Sequence, residues 1–151
     1  MSGDKFMLIF PNDIAEKLRA HAKAEYPREC CGILLGECDG GRKTVRGMIE
    51  TENAVGDEHG TAHFRHFRHF RIDPLAVAKA EREPLEILGF YHSHPDCEAV
   101  PSNEDILHMI MGYSYPIVSV RNGECSDIKS YVRISQTSSE IKEEIIIKEQ
   151  C

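Results

Sequence analysis

Apolar residues follow two patterns along this chain, and the two patterns predict both helices and strands. Ile14, Leu18 and Ala22 recur at helical spacing and predict a first helix, preceded by a turn with capping residues at 11–13. This helix should end near Tyr26, because a proline disfavours the helical conformation in the residue before it. Short apolar runs bounded by glycine or proline are typical of strands, and we predict strands over 6–10, 31–36, 44–52, 85–91, 116–120 and 128–134.

Turn and capping residues separate these segments. Asp-Gly-Gly at 39–41 predicts a hairpin turn, and Asn122-Gly123 predicts a second turn. Asp73-Pro74 predicts the start of a second helix over 74–82, and Ser102 predicts the start of a third helix through about Gly112. The apolar run at 145–147 is compatible with a final strand or a final helix. We therefore predict an α/β or α+β fold, with residues 1–151 forming a single domain.

Composition and charge limit the class of protein. The 151 residues are 41% hydrophobic and 28% charged, which is typical of a soluble globular domain with its own core. The net charge of −7 argues against nucleic acid or an anionic membrane as partner. No apolar run approaches the roughly 20 residues that span a bilayer, and the N-terminus lacks a secretory signal pattern. We expect a cytoplasmic protein that binds neither nucleic acid nor membrane.

Two histidines and an aspartate have the spacing of a metal site. His92 and His94 end a predicted strand, and alternate strand residues point to the same face. Asp105 lies in the first turn of the helix that Ser102 is predicted to cap. Two nitrogens and one carboxylate oxygen would leave one position of a zinc tetrahedron open for water, which is typical of a catalytic site. We predict one Zn²⁺ per chain, held by these three residues. The six cysteines include no Cys-x-x-Cys pair and should be free thiols, and Cys97 is not needed to complete the zinc site.

Zinc-dependent hydrolysis also needs a base and a group that stabilises an oxyanion. No glutamate lies between the histidines, and the best candidate base is Glu29, just before a predicted strand. Ser102 can donate a hydrogen bond beside the metal. Each assignment has a structural alternative. The histidines can be half-buried strand residues, Ser102 and Asp105 can be a capping box, Glu29 can be a solvated turn residue, and Glu104 can compete as a ligand.

Three tandem copies of His-Phe-Arg occupy residues 63–71. A period of three fits neither a helix nor a strand. The triplets are compatible with a basic aromatic patch for a partner or with a weak extra metal site. We favour a duplicated triplet that lengthens a surface loop or strand, because one small basic cluster in an acidic chain is weak evidence for a polyanion partner.

The spacing of these residues resembles that of the JAMM/MPN metallopeptidase family, whose signature is an upstream glutamate and then His-x-His-x7-Ser-x2-Asp. Residues 92–105 fit that spacing without a gap, and residues 27–36 match the Pro-x-Glu-x-Cys-Gly-x-Leu-x-Gly segment around the glutamate. The resemblance runs from about residue 8 to residue 134. The triplet repeat and a C-terminal extension from about 135 depart from the family pattern.

The resemblance implies a fold, a site and a substrate class. The fold would be a curved mixed β-sheet flanked by helices, similar to the cytidine deaminase core. His92, His94 and Asp105 would bind zinc, Glu29 would activate water, and Ser102 would stabilise the tetrahedral intermediate. The substrate would be the C-terminal Gly-Gly tail of a ubiquitin-like or sulfur-carrier protein. A non-catalytic interaction scaffold is the alternative, disfavoured because every ligand is retained. Nucleobase deamination is disfavoured because its His-x-Glu and Cys-x-x-Cys motifs are absent from the sequence.

Overall fold

The structure is a computed structural model that describes residues 6–52, 72 and 74–149. The triplet repeat at 63–71 and the predicted helix cap at Asp73 lie outside the described residues. In chain order the elements are β1 (Met7–Pro11), α1 (Asn12–Glu25), β2 (Cys31–Asp39), β3 (Arg42–Thr51), α2 (Pro74–Ala80), β4 (Glu86–Pro95), α3 (Asn103–His108), β5 (Tyr115–Arg121), β6 (Glu124–Arg133) and β7 (Ile141–Glu149). None of the helices within these ranges is long and apolar enough to cross a bilayer.

The strands form one mixed sheet that closes on itself in the order β1-β3-β2-β4-β5-β6-β7. Strand β1 runs parallel to both β3 and β7, and β4 runs parallel to β5. The remaining neighbours are antiparallel. The predicted curved mixed sheet is therefore confirmed. Its closure was not predicted, and it follows from β7, which pairs with both β1 and β6 and so removes two exposed sheet edges.

Helices cover both faces of this sheet, because successive strand residues point to opposite sides. On β2, Leu34 packs against α1 in the main core, whereas Ile33 and Leu35 pack with Ala80 of α2. On β5, Ile117 belongs to the cluster beside α3, whereas its neighbour Val118 belongs to the α1 core. One face of the sheet is thus the α1 face, and the other is the α2/α3 face.

The predicted turns are confirmed. Strand β2 ends at Asp39 and β3 begins at Arg42, with Gly40 between them at a φ of 65°. Asn122 and Gly123 both have positive φ, 52° and 83°, which is the conformation that a tight hairpin turn between β5 and β6 requires. The C-terminal apolar run, for which both a strand and a helix were considered, lies in strand β7.

Three details of the helices differ from the predictions. Helix α1 follows Pro11 and has no side-chain cap, so the predicted capping role of residues 12 and 13 is wrong. Helix α3 ends at His108 and not near Gly112. The N–H of Ile110 donates to the Tyr115 hydroxyl at 2.8 Å, and the Arg133 guanidinium donates to two carbonyls at the helix end. These tertiary partners satisfy the terminal backbone groups, so the helix stops early. Helix α2 also ends two residues before its predicted end.

Candidate metal centre

The two candidate histidines lie at the C-terminal end of β4, in the middle of the sheet. His92 is paired with Cys31 of β2 on one side and with Ile117 of β5 on the other. Both imidazoles are buried, with residue exposures of 1% for His92 and 8% for His94. Tyr91, the neighbour of His92, packs in the α1 core. Strand alternation therefore directs His92 and His94 together onto the α2/α3 face.

Helix α3 brings a carboxylate to the same face. Oδ2 of Asp105 lies 3.3 Å from Nε2 of His92 and 3.1 Å from Nε2 of His94, and the two Nε2 atoms are 3.1 Å apart. The Asp105 side chain is only 8% exposed. Two nitrogens and one carboxylate oxygen therefore form a nearly equilateral triangle in a partly closed site.

Hydrogen bonds around the triangle fix the direction of its electron pairs. Nδ1 of His94 lies 2.9 Å from the carbonyl oxygen of Glu98. A carbonyl only accepts, so this nitrogen carries the proton, and in the neutral imidazole Nε2 presents a lone pair to the triangle. The backbone N–H of Ser102 donates to Oδ2 of Asp105 at 2.9 Å and orients that oxygen. The cap of α3 thus positions a corner of the triangle.

The electrostatics favour the states that bind a cation. Burial lowers the pKa of His92, against the opposing effect of its hydrogen bond with Asp105, and so favours the neutral imidazole. Burial alone would raise the pKa of Asp105, but the neighbouring imidazoles of His92 and His94 and the N–H of Ser102 outweigh it and hold that pKa below its usual range. A neutral imidazole and an ionised carboxylate are the forms that bind metal.

The donor set and its spacing fit zinc. With zinc–ligand distances of about 2.0–2.2 Å, two corners of a tetrahedron are separated by about 3.3–3.6 Å. The three separations here, 3.1, 3.1 and 3.3 Å, reach that range with shifts of a few tenths of an ångström. Imidazole nitrogen and carboxylate oxygen are both ordinary zinc ligands, and three protein ligands leave the fourth position open. Among the described residues, these three form the only group of histidine, cysteine and acidic side chains close enough to hold a metal ion.

Glu29 lies two residues before β2, at the end of β2 that pairs with the histidine-bearing end of β4. Cys31 pairs with His92, and the next step is closed by the N–H of Ser93, which donates to the carbonyl of Cys30 at 3.1 Å. Extending that antiparallel register by two residues beyond the end of β2 would bring Glu29 opposite His94. Glu29 is 1% exposed, yet it lines a cleft of about 460 Å³ between the end of α1 and the end of β3. It is therefore not a solvated turn residue.

Ser102 is the N-cap of α3, and its role as a cap does not exclude a role beside the metal. Its hydroxyl oxygen accepts the N–H of Asp105 at 3.0 Å, and the reciprocal bond from its own N–H completes a capping box. The hydroxyl proton remains available, because accepting a hydrogen bond uses only a lone pair. Glu104 is exposed, and neither Glu104 nor Cys97 belongs to the group of possible metal ligands.

Sequence reasoning missed the groups that support this site. The carbonyl of Glu98, the hydroxyl of Ser93 and the carboxylate of Asp96 all bond to segments around the triangle. Backbone carbonyls carry no sequence signal. Ser93 lies between the two histidines, so its position in the motif was the one available indication.

A mixed sheet with two histidines at a strand end and an aspartate in the next helix is the arrangement of a JAB-type domain with a candidate metal site. The family model described as "Prokaryotic homologs of the JAB domain" matches residues 11–133, so the chain belongs to this family. The resemblance to JAMM/MPN proteins is thereby confirmed.

The relatives of this chain include two proteins that are named as peptidases. One is a "Probable TtuB-protein conjugate cleaving protease" of Thermus thermophilus, 36% identical over 66% of this chain and 62% of that protein. Another is a "CysO-cysteine peptidase" of Mycobacterium tuberculosis, 30% identical over 85% of this chain and 84% of that protein. This chain thus spans less than two thirds of the Thermus protein's length. A crystal structure of a JAB1/MPN domain protein from Archaeoglobus fulgidus has a TM-score of 0.55 at 20% identity, covers 93% of this chain and 99% of its own, and shows the shared fold.

Proposed function

We propose that this protein is a zinc metallopeptidase that hydrolyses the amide bond after the C-terminal Gly-Gly of a ubiquitin-like or sulfur-carrier protein. His92, His94 and Asp105 would hold one Zn²⁺ per chain. The observation that carries the proposal is the triangle of two imidazole nitrogens and one carboxylate oxygen with 3.1–3.3 Å sides. The names of the Thermus and Mycobacterium relatives support the substrate class.

The residues around the triangle divide the work of amide hydrolysis. Zinc bound at the triangle would acidify a water molecule and polarise the scissile carbonyl. Glu29 is the group that takes the proton of the attacking water and passes it to the leaving amine. Its burial beside a cleft keeps the carboxylate out of bulk water and is compatible with this role.

Ser102 would stabilise the negative charge that develops on the substrate. As the carbonyl carbon becomes tetrahedral, its oxygen gains negative charge, and a hydroxyl fixed beside it stabilises that charge without further reorganisation. The capping box holds the Ser102 oxygen in place through the N–H of Asp105, so the hydroxyl is oriented before substrate arrives.

The substrate is expected to bind mainly through its backbone. A Gly-Gly tail has no side chains, so it suits a narrow approach to the metal centre, and it offers main-chain groups for hydrogen bonding. In this proposal residues 1–151 act as one domain in the cytoplasm, and β7, within the C-terminal extension, closes the sheet by pairing with β1 and β6.

Substitution of Glu29 tests the division of roles. Glu29→Gln removes the base and keeps the shape of the side chain, so turnover of a Gly-Gly-ended fusion should fall by about 10²–10⁴-fold while zinc stoichiometry stays at one. Glu16→Gln, an exposed change on α1, is the matched control and should keep the wild-type rate. Chelation of wild type should abolish turnover, and zinc should restore it.

Two results would contradict the proposal. A Glu29→Gln protein with wild-type turnover would remove Glu29 from the role of base. Purified protein that takes up no zinc would remove the metallopeptidase assignment and favour the interaction scaffold.

A further inference from the structure

The loop between α1 and β2 carries Glu29, and two side-chain contacts tie it to β4. We propose that Ser93, with a smaller contribution from Tyr26, positions the Glu29 carboxylate over the metal centre without touching substrate. This inference rests on the proposed function, because it assigns a role to residues that act through the proposed base.

The first contact lies directly after Glu29. The backbone N–H of Cys30 donates to the Ser93 hydroxyl oxygen at 2.8 Å, and the N–H of Ser93 donates back to the carbonyl of Cys30 at 3.1 Å. Cys30 and Ser93 are each 1% exposed. A buried N–H that loses its acceptor is costly, so the pair holds the backbone next to Glu29 in one position.

The orientation of Ser93 separates its role from that of the ligands. His92 and His94 point to the α2/α3 face, so Ser93 between them points to the α1 face. Cys30, its hydrogen-bond partner, packs in the α1 core. The Ser93 hydroxyl therefore cannot reach substrate at the metal centre. Its effect on turnover must pass through the backbone that carries Glu29.

The second contact lies before Glu29. The Tyr26 hydroxyl donates to the carboxylate of Asp96, with distances of 2.9 and 2.7 Å to its two oxygens. Asp96 follows β4 and is itself held by the N–H of Asn122 at 2.9 Å. The loop that contains Glu29 is thus fastened on both sides to the end of the strand that supplies both histidines. Tyr26 is more exposed than Ser93, so this contact should contribute less.

Substitutions at Ser93 test the inference. Ser93→Ala removes the acceptor of the Cys30 N–H, and we expect kcat to fall about 10-fold or more with KM changed less than about twofold. Ser93→Thr keeps a hydroxyl on Cβ, and threonine is well tolerated in a strand, so this variant should retain most of the wild-type rate. Ser130→Ala removes another buried serine hydroxyl, from β6, and serves as the matched control with wild-type kcat.

Two further readouts distinguish positioning from a general structural effect. Hydrogen exchange at the Cys30 amide should be faster in Ser93→Ala and protected in Ser93→Thr, and this measurement needs no activity. In a Glu29→Gln background, Ser93→Ala should lower the residual rate no further, because both changes remove the contribution of the same group. Tyr26→Phe should give a smaller loss of kcat with the same dependence on Glu29.

The inference is overturned if Ser93→Ala keeps the wild-type kcat while exchange at Cys30 increases. It is also overturned if zinc affinity falls in proportion to the rate, or if Ser93→Ala reduces the rate equally with and without Glu29, because Ser93 would then act through the ligands or the fold. Failure of the proposed function is separate: it would appear as wild-type turnover in Glu29→Gln itself, before any change at Ser93.

Discussion

Two clusters of buried polar side chains differ in how their charges are balanced, and the difference separates a candidate site from a structural network. The first is the triangle of His92, His94 and Asp105 on the α2/α3 face. The second, the Lys43 network, is formed by Lys43, Ser114, Ser130 and Glu144 from the neighbourhoods of β3, β5, β6 and β7. Burial alone does not distinguish them, because both are largely hidden from solvent.

The Lys43 network contains its own counter-charge. Nζ of Lys43 donates to the Ser114 hydroxyl at 2.8 Å, and that hydroxyl donates to Glu144 at 2.9 Å. The Ser130 hydroxyl donates to the other oxygen of Glu144 at 2.5 Å. One cation and one anion are thus linked through the Ser114 hydroxyl, which both accepts and donates, so buried charge is compensated within the network.

The triangle is arranged differently. The proton on Nδ1 of His94 is used by the carbonyl of Glu98, so Nε2 of His94 and Oδ2 of Asp105 both present electron pairs at 3.1 Å from each other. Two acceptors that face each other at this distance are stable only with a proton or a cation between them. The comparison teaches that the balance of donors and acceptors, and not burial, separates the candidate ligand site from the structural network.

Removal of Asp105 should have the largest effect, because it deletes a corner of the triangle and its only formal charge. Asp105→Ala should weaken zinc binding by at least about 10³-fold, which corresponds to about 4 kcal/mol, and should abolish turnover. Competition with a chromophoric chelator measures the affinity. Glu104→Ala changes the neighbouring exposed acid on the same helix and should leave the affinity unchanged. Equal losses in the two variants would show that the acid acts only through the charge of the helix start.

Removal of the cation from the Lys43 network should cost stability but not zinc affinity. Lys43→Met keeps the length of the side chain and leaves Glu144 without its counter-charge, so the free energy of unfolding should fall by about 3–5 kcal/mol. The double variant Lys43→Met/Glu144→Gln should recover part of that loss, since a neutral amide needs no cation. Denaturant unfolding of zinc-free protein measures both values. A matching loss of zinc affinity would mean that the two clusters are coupled, contrary to the comparison.

The sequence predicted the triangle but not the Lys43 network, for a physical reason. The triangle lies within fourteen consecutive residues, where strand alternation and a helix cap fix the direction of each side chain. The network depends on side chains of separate strands that meet only when the sheet closes. Local patterns contain no information on that closure, because it depends on the pairing of β7 with β1 and β6.

The same distinction applies to the elements. Most strands and turns could be predicted, because alternation and Gly-rich turns are local signals. The C-terminal segment could not be assigned, since its apolar run at 145–147 has no period and only its partners make it a strand. The predicted end of α3 was wrong because Arg133 and Tyr115, which bond to backbone groups at the end of this helix, come from later strands.

Ser102 has both kinds of role: a structural role as the cap of α3 and a proposed chemical role beside the metal centre. Ser102→Ala should lower turnover by about 10²-fold and the free energy of unfolding by about 1 kcal/mol. Ser102→Asp keeps an acceptor for the N–H of Asp105 but has no hydroxyl proton, so it should retain stability and still lose turnover. Ser102→Thr should retain both. If Ser102→Asp were as active as wild type, the serine would serve only as a cap.

The smallest expected effect is the pH dependence that Glu144 gives to the Lys43 network. Burial raises the pKa of Glu144 above its ordinary value of 4.5, despite the hydrogen bond from Ser130 and the charge of Lys43. Between the ordinary and the raised pKa, the folded state holds a proton that the unfolded state has released. This contribution to stability is complete below pH 4.5 and is lost as the pH rises through the folded pKa, with a slope of at most about 1.4 kcal/mol per pH unit.

The free energy of unfolding of the wild type, relative to that of Glu144→Gln, should therefore decrease as the pH rises from 4.5 to 7. Glu143→Gln, an exposed change on the same strand, controls for the loss of one carboxylate. A difference that stays constant over this range would mean that hydrogen bonds and Lys43 fully offset the burial of Glu144. The network would then be as well balanced in charge as its hydrogen bonds suggest, and the contrast with the open triangle would be sharper. A falling difference would mean that part of the desolvation cost of Glu144 remains uncompensated in the folded protein.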